Sequence, residues 1–460
     1  MAMAEAHHSR VAFLCICILA AMPVASNADS SDASPLAFPG AQGHGRYSEG
    51  GRTGRILYVD NLNDHGPGSL RACAEDKGPR NCVFRVSGVI RLASSLLIRK
   101  DNGHLSILGQ TAPGSGITVT IEKPNKAEHH SPFIIKETTD VVIRHVRSRP
   151  RLPNTIANID AFTIENSERV YLDHVSGSWA TDENVNTHAD ATDVTIARSI
   201  FGEGQNKHSK CALLGSDPTR PQNITFWKNA CISNRDRNPD NNHYGGSCIE
   251  IVNNLFYNAR SEWAEVFSQY AGGTPISIVG NYFKAGPSTA DRSYAIYWDE
   301  VNSFAEPKIY ARANRMWAPG DKKIALIDPE GRKRLVEEPP CPLSIDPIVT
   351  AEEAYDDIRL KAGAFPRDNV DKRLIEEVGA IKRKGKGQMV KEPGLLPVMA
   401  DGTPYADTDH DGMADSVEIS IGAKVGQADA WDGADDDGQT NFDRFMEWLS
   451  QQRLANAYPG

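Results

Sequence analysis

Ile224-Thr225-Phe226-Trp227-Lys228-Asn229, Ile249-Glu250-Ile251-Val252-Asn253-Asn254 and Ile276-Ser277-Ile278-Val279-Gly280-Asn281 repeat one pattern through the middle of the chain. Each is a short strand signal, with apolar, mostly β-branched residues two apart. Upstream the pattern returns as Val141-Val142-Ile143-Arg144-His145-Val146, Val170-Tyr171-Leu172-Asp173-His174-Val175 and Val194-Thr195-Ile196-Ala197-Arg198-Ser199. The central apolar residues are 143, 172, 196, 226, 251 and 278, in steps of 29, 24, 30, 25 and 27. One strand signal per period of that size, with loops of variable length between, predicts a solenoid.

The columns of the repeat say which solenoid. Three residues after the central position stand Ser199, Asn229, Asn254 and Asn281, and two further on Phe201, Cys231, Phe256 and Phe283. Stacked, the first column forms a ladder bonded to neighbouring backbone at a bend, and the second an interior stack. No Leu-x-x-Leu-x-Leu pattern and no 3.6-residue period is present in this region. The expected fold is all-β, a right-handed parallel β-helix of seven or eight coils over residues 35–345. A β-sandwich would have no use for the asparagine column.

Outside the repeats the pattern changes. Residues 317–345 read as a Pro-rich charged loop. Within an extension and linker over 346–403, Thr350–Leu360 and Val370–Ile381 are expected as short helices. Residues 1–28 read as a secretory signal, with basic His7, His8 and Arg10, a short apolar run, and cleavage after Ala28. The run is too short to span a bilayer, so a secreted, soluble protein is expected, without membrane partner. Six cysteines then remain. Cys73 and Cys82 flank a short turn and are the expected disulfide, worth about 2–3 kcal/mol by loop closure. Cys211, Cys231, Cys248 and Cys341 cannot be paired from sequence and are compatible with buried thiols.

The 460 residues carry 50 Lys+Arg against 60 Asp+Glu, a net charge of −10. That argues against a nucleic-acid partner. Part of the acid is localised. In residues 404–452, Asp407, Asp409, Asp411, Asp415 and Glu418 occupy positions 1, 3, 5, 9 and 12 of a loop with Gly412 at position 6, the ligand spacing of an EF-hand-like calcium site. Asp435-Asp436-Asp437-Gly438 is a partial copy before a helix with Phe442, Phe445, Met446 and Leu449 on one face. This segment is expected to be a small calcium-binding appendage.

A second cluster lies inside the repeats: Asn158-Ile159-Asp160, then Asp182-Glu183-Asn184-Val185-Asn186, then Lys210, and then Arg235 and Arg237. In a stacked fold, residues 25–30 apart become neighbours, so acids of one coil face bases of the next. Hard oxygen ligands without cysteine or paired histidine suit calcium or magnesium rather than zinc. Metal and basic groups together suit a polyanionic ligand. Asp173-His174 is expected to serve the fold.

Phe38-Pro39-Gly40-Ala41-Gln42-Gly43 with Gly50-Gly51-Arg52, Gly68-Ser69-Leu70-Arg71, Phe84 to Ile90, Val170 to His174, Arg237-Asn238-Pro239 and Asn281 to Pro287 resemble the pectate lyases of polysaccharide lyase family 1. Ala354 to Val378 and the Asp-rich tail resemble bacterial members. The resemblance implies a monomeric secreted enzyme that cleaves polygalacturonate by calcium-dependent β-elimination. It implies calcium ligands at Asp160 and Asp182, with Asn186 where the family has a third acid and Asn158 beside them. Lys210 is then the residue that engages a substrate carboxylate, Arg237 the base, and Arg235 a further substrate contact. Asp240 and Asn242 stand where the family often has another arginine. A polygalacturonase would need two or three carboxylates and no metal. A pectin lyase would lack the acidic ligands, and a β-helix adhesin would not need Lys210 and Arg237.

Overall fold

The computed structural model describes residues 34–123, 131–205 and 208–460. The expected signal segment lies outside them, and Pro35–Gly460 form one compact unit. Among the described residues the coils build three parallel sheets of ten, nine and nine strands, most coils giving one strand to each. This makes about nine coils rather than seven or eight. All six repeats sit in the ten-stranded sheet, in the expected register: Ile143, Leu172, Ile196, Phe226, Ile251 and Ile278 are successive partners. All six side chains are fully buried.

The extra coils lie at the ends, where the repeat is written in other residues. At the start, strands Arg55–Val59, Arg80–Phe84 and Leu105–Leu108 join the ladder sheet without the asparagine column. At the far end Lys308–Arg312 carries Ala311 opposite Ile278, and a small residue at the central position conceals the strand. Lys323–Ile327 forms a further strand and Pro329–Arg332 a short helix within the stretch expected to be loop.

The ladder explains how the coils turn. Asn229, Asn254, Asn281 and also Asn314 each accept, through Oδ1, from the backbone N–H at the same column one coil earlier, at 2.8–3.0 Å. Each Nδ2 donates to the carbonyl of the central residue of that earlier coil. The residue before each rung is forced into the left-handed region: His145, His174, Arg198, Lys228, Asn253 and Gly280 have φ between 51° and 64°. Only glycine adopts that conformation freely, so the other five are held there by the sheets on either side. Phe256 and Phe283 stack at 5.0 Å inside the coil.

Three disulfides are present among the described residues. Cys73–Cys82 is as expected, and Cys211–Cys231 and Cys248–Cys341 pair the four cysteines that the sequence left unassigned. Cys211–Cys231 crosses the interior between two sheets of successive coils, and Cys341 lies far from Cys248 along the chain, so neither pairing shows as a local spacing.

Two of the three sheets are covered. Helices Ala351–Lys361 and Asn369–Val378 pack Tyr355, Leu374 and Val378 over Ile200, Ile232, Leu255 and Tyr282. The N-terminal segment places Phe38 on Tyr171 over the ladder sheet. Farther along the same sheet, helix Asn441–Leu454 packs Phe445 and Leu449 with Val83 and Leu108. Residues 382–403 run over the body, bonded by Ala400 to Ser87 and Ser115 and by Gly394 to Arg151. The third sheet, which includes Phe162–Glu165, Glu183–His188, Lys210–Ser216, Asp240–Asn242 and Glu265–Phe267, carries no such apolar cover among the described residues.

Candidate active site

The uncovered sheet assembles the cluster. Parallel pairing sets Thr163 beside Asn186, Glu183 beside Lys210, and Lys210 beside Asp236, so one column runs acid, base, acid across three coils. Asp160 lies just before its strand and joins them by accepting from the Glu183 N–H at 3.2 Å. Asp160, Asp182 and Glu183 bring carboxylate oxygens within 4.8 Å of one another. Lys210 Nζ pairs with Asp182 and lies 3.3 Å from Glu183. Arg237 pairs with Glu183 through Nη1 and with Asp240 through Nε at 3.1 Å.

Burial pushes the Asp160 carboxyl well above its ordinary range, and the charges of Glu183 and Asp182 push in the same direction. Hydrogen bonds from Thr163, at 2.7 Å, and from Asn186 Nδ2, at 3.3 Å, oppose the shift without cancelling it. Among the described residues Asp160 has no ion-pair partner. The Oδ1 of Asn186 is buried without a hydrogen bond. Asp160 thus sits in a pocket short of positive charge. Asn158 is exposed at a left-handed turn with φ 59°, two residues before Asp160. Arg235 is exposed, one residue before Asp236, and its backbone N–H donates to Ser209.

Arg237 is half-buried with φ 50°, the left-handed conformation that recurs at the turns of the coils. Its carbonyl accepts from the Ala212 N–H at 2.9 Å and its own N–H donates to Asp236. Burial works against the charge of its guanidinium, but Glu183 and Asp240 outweigh burial and raise its pKa. The charge of Arg237 is therefore reinforced by the acids around it.

Asp240 occupies a place where the resemblance led one to look for arginine, and here it anchors Arg237. It is the register partner of Glu265, 25 residues on. Burial pushes Asp240 up to about 6, and burial with the charge of Asp240 raises Glu265 further. Asn242 bonds to Gln269 at 2.8 Å. Together with Leu213, Gly215 and Phe267, residues 237, 240, 242 and 269 line an open depression next to the cluster. Glu183 and Glu265 had not been singled out individually. The signal was present, since each lies one period from a charged residue that was noted, Lys210 and Asp240.

The tail loop gathers differently from its sequence spacing. Asp407, Asp409 and Asp411 converge, and Asp411 also converges with Glu418 and Asp429. Asp415 turns away, accepting from Thr408 N and Oγ1 at 2.8 and 2.6 Å. Asp435, Asp436 and Asp437 are exposed in the turn before the last helix. Asp173 is buried in an ion network with Arg144 and Arg198 at the end of its ladder-sheet strand, with the His174 ring 3.0 Å from its carboxylate, which is a structural position.

No protein-family model matches the chain. Curated relatives do. The probable pectate lyase C of Aspergillus flavus is 30% identical over 431 residues, spanning 92% of this chain and 95% of the relative. That of Neosartorya fischeri is 31% identical over 392 residues, spanning 84% and 87%. A solved structure, the cedar pollen allergen jun a 1, aligns over 70% of this chain and 92% of its own at 16% identity and a TM-score of 0.46, too loose a likeness to bear on function. With identity at that level sustained along nearly the whole of both chains, on a three-sheet solenoid whose open face gathers acids and bases, the chain belongs to the pectate lyase family.

Proposed function

We propose that the protein cleaves polygalacturonate by β-elimination with calcium as cofactor, Arg237 as the base and Lys210 as partner of a substrate carboxylate. The observation that supports this most is the meeting, on the uncovered sheet, of buried acids Asp160, Asp182 and Glu183 with Lys210 and Arg237. The donor set fits calcium: hard oxygens only, with a buried Asp160 carboxyl that has no ion-pair partner among the described residues and an Asn186 carbonyl buried without a hydrogen bond. Asp160, Asp182, Glu183 and Asn186 would hold the ion, and it would neutralise a substrate carboxylate and the charge that develops beside it.

The chain's own groups account for the rest. Lys210 is 9% exposed at its side chain, so its ammonium is aimed by its acidic neighbours rather than free in solvent. The C5 proton of a galacturonate lies α to a carboxylate and is weakly acidic. Arg237 would remove it as the C4–O4 bond breaks and the C4–C5 double bond forms, the departing O4 leaving with the bonding pair and taking a proton from solvent to become a hydroxyl. Glu183 and Asp240 keep Arg237 charged, so the neutral base is scarce near pH 7 and the rate should rise toward alkaline pH. The three disulfides suit an oxidising compartment and support export.

The test is ultraviolet absorbance of the unsaturated product on polygalacturonate, with chelator and then with calcium restored. Activity unchanged in excess chelator would remove the metal from the reading. New reducing ends without the absorbing product would replace elimination by hydrolysis. Asp160→Asn should raise the calcium needed for half-activity while circular dichroism stays that of the parent.

A further inference from the structure

The C-terminal segment carries a second concentration of unsatisfied oxygen on a different sheet. Asp407, Asp409 and Asp411 form one triad of converging carboxylates, Asp411, Glu418 and Asp429 another, and Asp411 belongs to both. Glu418 is 1% exposed, and neither of its oxygens has a hydrogen bond. Asp429 is 5% exposed with Oδ1 unpartnered, and Asp409 Oδ2 is likewise buried and unpartnered. Among the described residues, none of these five carboxylates pairs with a Lys, Arg or His.

The remaining oxygens are used to shape the site. Asp407 accepts from the N–H groups of Asp411 and Gly412 and from the hydroxyl of Tyr58, on the first strand of the solenoid. Asp411 accepts from Met413 and from the N–H of Asp429. Asp429 accepts from Lys424 through Oδ2, which leaves Oδ1 free. Gly412 makes the sharp turn with φ 87°, and a Cβ there would meet Phe442 and Ile56 at 3.0 and 3.2 Å. Buried carboxylates with free lone pairs and no counter-charge are costly unless a cation completes them. All-oxygen donors from five carboxylates suit calcium, which takes six to eight such ligands, rather than magnesium, which keeps most of its water.

We propose that Asp407, Asp409, Asp411, Glu418 and Asp429 hold a calcium ion, separate from the catalytic cluster, that fastens loop 407–418 to the turn before the last helix and docks that helix on the solenoid wall. This ligand set departs from the linear loop pattern, taking Asp429 from outside the loop and leaving Asp415 out. Through Tyr58 and Asp407 the ion is coupled to the first coil. Through the last helix it is coupled to Arg144, which pairs with Glu447, and to His145, which bonds to Ser450.

The experiment counts calcium bound by the full-length protein, by equilibrium dialysis, and maps protease cleavage within residues 404–440 in calcium and in chelator. Glu418→Gln with Asp429→Asn should bind one ion fewer than the parent, and Asp415→Asn should bind as many. Cleavage in the parent should be at least tenfold faster in chelator. Equal stoichiometry in parent and double variant would overturn the proposal, as would loss of an ion in Asp415→Asn alone. If the double variant fails to fold, the parent decides: calcium-independent cleavage of 404–440 overturns the site. Neither readout uses lyase activity, so the result stands or falls apart from the catalytic assignment.

Discussion

Arg237 shows how much a single residue depends on its neighbours. Its type was legible as a base candidate, but its state is set by Glu183 and Asp240, which come from another coil and from three residues along the chain. Lysine at 237 would keep a cation yet lose the planar fork that meets two acids at once. Arg237→Lys should therefore lower kcat by about two orders of magnitude or more with a smaller change in KM, because a base acts only in the transition state. Arg235→Lys, at an exposed position, should do much less. If the two effects came out reversed in steady-state kinetics, the base would sit elsewhere.

At the scale of elements the ladder and the histidine stack invite different tests. Asn254 accepts from Asn229 N–H at 2.9 Å and donates to the Phe226 carbonyl at 2.8 Å, all buried. Asn254→Ala strands both groups, at roughly 1–3 kcal/mol each, so the denaturation midpoint should fall clearly while kcat, set on another sheet, stays within about twofold. An unchanged midpoint would mean that the rungs contribute nothing. His145 and His174 stack at 4.9 Å, fully buried, and burial lowers both pKa values, helped in His145 by the charge of His174. The unfolded chain then binds protons that the folded chain refuses. The stabilisation is complete above about pH 6.5 and is lost as pH falls below it. His145→Gln keeps a neutral polar group at Ser450 and should flatten the fall in melting temperature between about pH 6.5 and 5. An equally steep fall in the variant would assign the acid sensitivity to other groups.

For the whole molecule, the C-terminal segment is part of the wall. Helix Asn441–Leu454 covers Val83 and Leu108, supplies Glu447 to the buried Arg144, and donates from Arg453 to the Gln110 carbonyl. A chain ending at residue 403 uncovers that apolar patch and leaves Arg144 with Asp173 alone on one side. It should melt at lower temperature and aggregate more readily than the full chain, with equal calcium in both samples. A truncated protein as stable and soluble as the parent would show that the segment is a passenger.

The sequence by itself determined the solenoid, the register of six coils and the asparagine ladder, because a stacked fold turns sequence spacing directly into contact. It also determined most of the acids and bases of the open face, since Asp182 and Lys210, 28 residues apart, meet for the same reason. It fell short where spacing no longer implies contact. Ala311 takes the central register position with a small, partly buried side chain that gives little strand signal, and the pairing of Cys248 with Cys341 depends on a segment that returns from far along the chain. Which tail acids converge depended on the turn that brings Asp429 to Asp411 and sends Asp415 to Thr408. Only the tertiary structure decided which sheet is left open, because cover comes from helices docked by apolar faces, and no period in the chain records where they land.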